Sequence, residues 1–485
     1  MDNFNLAKLR DLLPSLPQIS PPTSSSSAEM GSPFEAASDG VARRLSTSSS
    51  TTDADTHAPD PRTSATHDLT PTPSAPSILD PQPIDESRPK TNLDLVSECD
   101  SFPYFQSSPQ VYLRHYNHYY HLQCAPYPQT LGYILPSVAE VLRGIPGWHI
   151  DDDERTLTLV AGKNESERTA VVAATTGAMK ATGHFRVLKG WRNEMYPVYG
   201  PPPAKELLFS MERSASPLFG IVSYGVHMTA YTYVAPEPSA EDEEDVEVEA
   251  VTAGDKKVEE TQAEEKKVQE QGKEEEDKEE EENVKEESKE GKAAEKEEKE
   301  EEKKAKAEGE QGAKKDQKEL RLWIPRRAAT KQTYGGMLDN TVAGGMATGE
   351  TPLLCVVREA SEEASLPEAF VKQNAKPAGT VSYFHIRDHR AGGETGLLQP
   401  EVQFIYDLEL PDHVKPAPCD DEVEQFYLLS VPECKEKLAK GEFKPNCAAV
   451  LLDFFVRWGF LTADEESDYV AIVSRLHRVM EFPTM

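Results

Sequence analysis

The stretch Ala343-Gly344-Gly345-Met346-Ala347-Thr348-Gly349-Glu350, followed by Leu353 to Val357 and then Arg358-Glu359-Ala360-Ser361-Glu362-Glu363-Ala364-Ser365-Leu366, decides the reading of this chain. Placed on a helix over 353–364, Leu353, Val356, Val357, Ala360 and Ala364 share one apolar face. Glu359, Glu362 and Glu363 then fall together on another arc, by the i, i+3, i+4 rule. Three carboxylates on one arc repel one another, and a helix accepts them readily when a cation or an arginine compensates. Magnesium, a hard cation that takes oxygen ligands, suits such a set, above all when a substrate diphosphate completes its octahedron. Manganese has similar ligand preferences. The preceding glycines, Gly344 and Gly345, let backbone approach a ligand closely. Three acids on a helix are, taken alone, equally the mark of a solvated face, so the wider spacing has to decide.

The spacing Gly344-x5-Glu350-x7-Arg358-Glu359-x2-Glu362-Glu363 resembles the Nudix box, G-x5-E-x7-R-E-U-x-E-E-x-G-U, at its charged positions and first glycine. Two positions depart from it: Ala360 stands for the bulky aliphatic residue and Ser365 for the second glycine. Beyond the box, Leu322-Trp323-Ile324-Pro325-Arg326-Arg327, Lys331, Leu338-Asp339-Asn340, Tyr406 to Pro411 and Asp421 to Glu424 resemble one Nudix branch. That branch includes the Nudix part of fungal thiamine pyrophosphokinase-related proteins and some plant plastid Nudix hydrolases. Its members carry a small N-terminal domain, whose motif Gly190-Trp191-Arg192-Asn193-Glu194 resembles.

The resemblance implies an α/β fold: a Nudix α/β/α sandwich with a mixed sheet, preceded by a small α/β domain. It implies hydrolysis of a diphosphate linkage, with oxidised or damaged thiamine diphosphate as the typical substrate. ADP-ribose or another nucleoside diphosphate derivative stays open as substrate, and so does a non-catalytic ligand-binding module. Magnesium, or manganese, is expected on Glu359, Glu362 and Glu363, where it would lower the pKa of a bound water. Glu362, Glu363 and Glu422 are the candidate bases, and Arg358 is expected to orient the glutamates. Arg326, Arg327, Lys331, Gly344 and Gly345 are candidates to meet phosphate. Trp191, Asn193 and Glu194 are candidates to select the ring. His227 and His385 are expected to be structural. No kinase domain follows, so thiamine pyrophosphokinase activity is not expected.

Working outward, residues 218–234 and 320–324 are β-rich, yet an acidic tract separates them. Residues 241–320 hold 34 acidic and 17 basic side chains, half of the chain's net charge of −33. The tract's valines are isolated, so it forms no helical apolar face, and 236–318 reads as a disordered insert that might at most dock a basic protein. Closing a loop of that length in place of a short turn costs roughly 2–3 kcal/mol, so the strands flanking it can pair within one domain. Upstream, the spacing predicts a helix over 135–145 and a strand over 155–160, within a small α/β domain spanning 92–210. Downstream, residues 448–458 read as an apolar helix stopped by Gly459, and Thr462 with Glu465 reads as a capping box before a last helix. Residues 1–91, rich in Ser, Thr and Pro, read as disordered.

The acidity argues against nucleic-acid binding, which requires clustered Lys and Arg. No apolar run approaches the ~20 residues of a bilayer span, and the N-terminus lacks the apolar core of a secretory signal. Six scattered cysteines with no C-x-x-C pair point to buried thiols in a reducing compartment. A cytoplasmic protein is expected, with a mitochondrial or nuclear one left open; the oligomeric state is not legible.

Overall fold

The computed structural model describes residues 88–235, 318–419 and 421–485. The expectations for the N-terminal tail and the acidic insert fall outside those residues, apart from the last few of the one and the last of the other. Helices α1 (Asn92–Cys99) and α2 (Pro109–His118) lead into strands β1 (Tyr120–Cys124) and β2 (Tyr127–Ile134). Helix α3 (Pro136–Leu142) and strands β3 (Trp148–Asp151) and β4 (Thr156–Leu159) follow, completing a four-stranded sheet of order β2-β1-β4-β3. Helix α4 (Glu165–Thr182) then packs on an antiparallel hairpin of β5 (Met195–Tyr199) and β6 (Leu207–Glu212). This is the small α/β domain expected from sequence. Its helix α3 begins at a proline in the first turn, where the missing N–H costs nothing.

A short helix, α5 (Ser216–Phe219), turns the chain into β7 (Ser223–Val234), the central strand of the second sheet. After the acidic tract come β8 (Glu319–Arg327), β9 (Val342–Gly345), helices α6 (Pro352–Ala364) and α7 (Glu368–Asn374), and β10 (Lys376–Ile386). Strands β11 (Leu398–Glu409) and β12 (Val423–Ser430) and helices α8 (Val431–Ala439), α9 (Pro445–Arg457) and α10 (Tyr469–Leu476) close the chain. The sheet runs β10-β11-β7-β8-β12, with β9 pairing β7; β11 and β7 are parallel and the other pairs antiparallel. Alternation along β7 sends Val226, Met228 and Ala230 into a core shared with Val356, Ala360 and Ala364 of α6. Tyr231 enters the opposite core, with Leu322, Ile324 and the apolar side of α9. The result is the expected α/β/α sandwich around a mixed sheet.

The two strands that flank the acidic tract do pair: Tyr231 faces Leu322 and Val234 faces Glu319 in antiparallel register. Three features differ from the sequence reading. Helix α1, expected in the small domain, packs instead on α9 and α10, where Leu95, Val96 and Cys99 join the sandwich core. Its apolar side finds more buried surface there, and Asp100 behind it is clamped by Arg478 at 3.0 Å and Arg475 at 3.3 Å. Second, Thr462 and Glu465 form a turn and not a cap, and α10 starts later, behind Asp468. Glu466 in that turn accepts a hydrogen bond from Asn92 at 2.8 Å, which ties the segment to α1. Third, Ser365 takes φ +54° to end α6, the left-handed conformation that glycine occupies without strain. All six cysteines are free, and five of them are buried. No helix among the described residues is long and apolar enough to cross a membrane.

Two outcomes follow from this packing. Replacing 239–317 by a short Gly/Ser linker preserves the fold and raises the melting temperature somewhat, because the register on both sides is already set and a shorter loop costs less to close; a deletion protein that fails to fold would show the tract contributes structure. Ser365→Gly raises stability by about 1 kcal/mol through relief of the left-handed strain, readable as a higher urea midpoint at unchanged slope.

Candidate active site

Helix α6 starts at Thr351, whose hydroxyl accepts from Leu354 N, with Pro352 in the first turn. Its buried side, Cys355, Val356, Val357, Ala360 and Ala364, anchors it to the sheet and so aims Glu359, Glu362 and Glu363 to one side. Ala360, where the family pattern has a larger aliphatic residue, is completely buried. Gly344 on β9 lies so close that a Cβ there would sit 1.9 Å from Cδ of Glu359. A side chain at 344 would have to displace the Glu359 carboxylate, which gives the first glycine of the motif a physical reason.

Arg358 is the hub of the acidic cluster. Its guanidinium reaches Glu350 at 2.9 Å, Glu359 at 2.8 Å and Glu362 at 3.0 Å, and donates to the Gly345 carbonyl at 3.3 Å. It ties three glutamates, Glu350, Glu359 and Glu362, to one side chain. Glu350 also accepts from Ala347 N at 3.1 Å, which braces the loop ahead of the helix. Burial tends to raise the Glu350 carboxyl, but Arg358 and that N–H outweigh it and the net shift is down. For Glu359 burial wins over Arg358 and the shift is up. Glu363 is pushed up to about 8 by burial and then by Glu359 and Asp339. One of its oxygens accepts from Ala343 N at 3.0 Å.

These side chains open on a cavity of about 600 Å³ between the two domains. Arg327, Lys331, Gly344, Gly345 and Glu422, all singled out in the sequence, line it. Arg327 is held by Asp339 at 2.5 Å, and Lys331 pairs with Glu422. Arg326 is not among the lining residues: it donates to the Tyr427 hydroxyl at 3.0 Å and the Gly336 carbonyl at 2.7 Å. From the 190–194 motif, Gly190, Arg192 and Glu194 line the cavity, whereas Trp191 and Asn193 do not. The Trp191 indole donates to Asn193 at 2.9 Å and carries Lys180 over its ring at 4.4 Å. His227 and His385 line the cavity too, each with Nδ1 engaged by Asn340 or by the Glu98 carbonyl, and burial lowers both to about 4.

Sequence reasoning missed the rest of the wall. Alternate residues of β10 and β11 bring Tyr383, Gln399, Glu401 and Gln403 to its floor, and Tyr196 and Arg213 reach in from the small domain. Nothing local marks them, because alternation in a strand identifies a face without saying what covers it.

For a divalent cation, the chemistry of the donor set favours the helix carboxylates. Glu359 and Glu363 are half-buried acids, of which Arg358 pairs with Glu359 alone, and oxygen ligands suit a hard ion. A second grouping, His227, Asp339 and Cys447, brings ligand atoms within 4.8 Å of one another. There Asp339 already takes Arg327, the Asn340 N–H at 2.9 Å and the Cys447 thiol at 2.6 Å. Burial pushes the Asp339 carboxyl up, but Arg327 and Lys444 outweigh it and hold it far below its usual range. Those two cations disfavour another positive charge at that spot.

Residues 313–447 match the NUDIX domain family, and residues 113–223 match a domain of unknown function, DUF4743. The chain carries a Nudix domain. An uncharacterized protein of Saccharomyces cerevisiae is 41% identical over 172 residues, which is 35% of this chain and 50% of that protein. Nudix hydrolase 20, chloroplastic, of Arabidopsis thaliana is 30% identical over 322 residues, 66% of this chain and 60% of the relative. Nudix hydrolase 24, chloroplastic, from the same plant is 27% identical over 357 residues, 72% and 70% of the two chains. The chain thus spans about half the length of the yeast relative and 60% of the first plant one. The Nudix match begins after β7, so the central strand of the Nudix sheet is supplied from before the acidic tract.

The raised Glu363 gives this Nudix domain a pH signature. The unfolded chain releases that proton near 4.5, the folded one near 8, so the folded state binds more protons across this window. Stability without metal is therefore full below about 4.5 and falls as pH rises towards 8. In EDTA, Glu363→Gln removes that loss, and its melting temperature gains on the wild type as pH climbs through the window. Parallel melting curves for the two proteins would contradict the assignment.

Proposed function

We propose that this chain is a divalent-cation-dependent hydrolase that cleaves a diphosphate linkage, with oxidised or damaged thiamine-type diphosphates as substrates. The convergence of Glu359, Glu362 and Glu363 on one cavity that also holds Arg327 and Lys331 carries the reading. Magnesium or manganese held by those three glutamates would supply positive charge for the diphosphate oxygens and acidify water. Arg358 keeps Glu350, Glu359 and Glu362 in fixed positions, so no reorganisation is needed when substrate enters. Lys331 and Arg327, which line the same cavity, offer charge to phosphate oxygens. Of the candidate bases, Glu422 is tied up by Lys331, and Glu362 by Arg358. Glu363 keeps one oxygen without a hydrogen bond among the described residues, and with the cation present to hold it ionised it would take the proton as water attacks phosphorus in line.

The thiamine-type substrate is supported by the joint occurrence of the 190–194 motif and the Nudix segment, since the box alone speaks only for the diphosphate. The cavity's position between both domains supports a ring held by groups from each. The cytoplasmic setting remains part of this reading.

Magnesium-dependent turnover of a panel of oxidised thiamine diphosphates, thiamine diphosphate and ADP-ribose tests it. The thiamine-type compounds turn over with the highest kcat/KM, and Glu362→Gln and Glu363→Gln lower turnover by orders of magnitude without unfolding the protein. A clear preference for ADP-ribose would move the substrate to the nucleotide sugars. Near-normal rates in both variants would remove the helix carboxylates from the chemistry.

A further inference from the structure

The small domain touches the Nudix loop where that loop approaches the acidic cluster. Thr348 donates to the Met195 carbonyl of β5 through its N–H at 2.8 Å and its hydroxyl at 3.1 Å. The same hydroxyl lies 3.0 Å from Ser210 of β6. The hairpin is thus pinned to the segment between Gly345 and Glu350. Tyr196, the next residue along β5, presses its hydroxyl on Gly345: a Cβ there would meet that oxygen at 1.9 Å. A side chain at either position of the Gly344-Gly345 pair would displace a neighbour, Glu359 in one case and a tyrosine of the other domain in the other.

This docking brings Arg213 to the catalytic cavity. Its N–H donates to the Glu194 carbonyl at 2.8 Å, and its Nη1 meets the Glu194 carboxylate at 2.9 Å. The guanidinium lies 5.6 Å from the Tyr196 ring centroid, and a Cβ on Gly345 would meet its Cζ at 3.3 Å. Glu359 is close enough to feel its charge. Glu194 is the only hydrogen-bond partner of the Arg213 guanidinium among the described residues, and it takes a single nitrogen. The other two nitrogens of the fork have no protein acceptor, although the side chain lines the cavity. A planar guanidinium held by one edge and open on the other is suited to grip phosphate oxygens in pairs. Arg192 stands near it, braced by its N–H on Glu212 at 2.9 Å.

We infer that the N-terminal domain completes the catalytic site, with Arg213 binding a phosphoryl group of the diphosphate opposite the α6 carboxylates and Tyr196 and Glu194 positioning it. The inference rests on the proposed hydrolase reading and extends it: the diphosphate is clamped by two domains, and the domain of unknown function supplies one jaw. Glu194 then acts on Arg213 and not on the ring of the substrate.

The test uses the full chain with Arg213→Gln, Arg213→Lys and, as a control of equal charge change far from the cavity, Arg143→Gln. Melting temperatures establish folding. Titration calorimetry with imidodiphosphate and magnesium reads binding, and steady-state kinetics on the diphosphate that the wild type hydrolyses best reads KM and kcat separately. Arg213→Gln weakens imidodiphosphate binding about tenfold to a hundredfold. Arg213→Lys recovers part of the loss, since it restores charge without the fork, and Arg143→Gln binds like the wild type. Should Arg213→Gln fail to fold, Arg213→Lys alone decides: it must still bind more weakly than the wild type. Imidodiphosphate affinity within twofold of wild type in either folded variant overturns the inference. If the wild type hydrolyses diphosphates while Arg213 proves indifferent, only this inference falls. If it hydrolyses none and does not bind imidodiphosphate, the hydrolase reading falls with it.

Discussion

Burying carboxylates side by side is the constraint around which this structure is arranged. Glu359 and Glu363 lie in the interior edge of the sandwich, where removing water from an ion is costly and like charges add to the cost. Arg358 offsets part of that cost by reaching Glu350, Glu359 and Glu362 from one guanidinium. An arginine shared in this way loses side-chain freedom once while serving three acids. The offset is incomplete, as the raised Glu363 shows. A cluster left short of positive charge is a receptor for a cation, and the same deficit that destabilises the empty fold provides its affinity.

The deficit dictates the surroundings. The backbone of β9 must come within contact of Glu359, so Gly344 has no side chain. The loop ahead of α6 must be stiff enough to hold that approach, and Glu350 braces it from within through Ala347 N. From outside, the β5–β6 hairpin braces it through Thr348 and Ser210. At the far side, α1 sits in the sandwich core, with buried Asp100 clamped by Arg475 and Arg478 from the chain's last segment. Residues from 92 to 485 are thereby tied into one fold, although an 80-residue acidic tract interrupts its central sheet. Logarithmic loop cost makes that interruption tolerable, since the antiparallel register of β7 on β8 resumes directly after it.

What could be read from the sequence divides along the range of the interactions. The α6 face, its glycine loop and the flanking strands are legible because each is set by neighbours a few residues away. Arg358's role followed from the same i, i+1 and i+4 geometry. Arg326 and Trp191 show where this runs out. Both occur in motifs at the right place, yet Arg326 turns to Tyr427 and Trp191 to Asn193 and Lys180, because a motif fixes backbone position and not the direction of a side chain. The placement of α1 and the reach of Arg213 depend on contacts across more than a hundred residues, for which no spacing rule exists.

The same division explains why the small domain is joined to this Nudix sandwich. A helix of carboxylates supplies the acid side of a diphosphate site by itself, since its geometry is local. The basic side must face it across a gap the size of the substrate, and residues on α6 cannot do that. Here the facing positions come from separate places: Arg327 at the end of β8, Lys331 in the loop after it, and Arg192 and Arg213 from the other domain. Arg327 and Lys331 are largely neutralised, by Asp339 and Glu422. Arg213 gives one nitrogen to Glu194 and keeps the rest of its fork towards the cavity. Arg213 therefore brings an open guanidinium edge from the domain that the catalytic motif does not contain, and on the inferred clamp the affinity for the diphosphate would depend on the docking of the two.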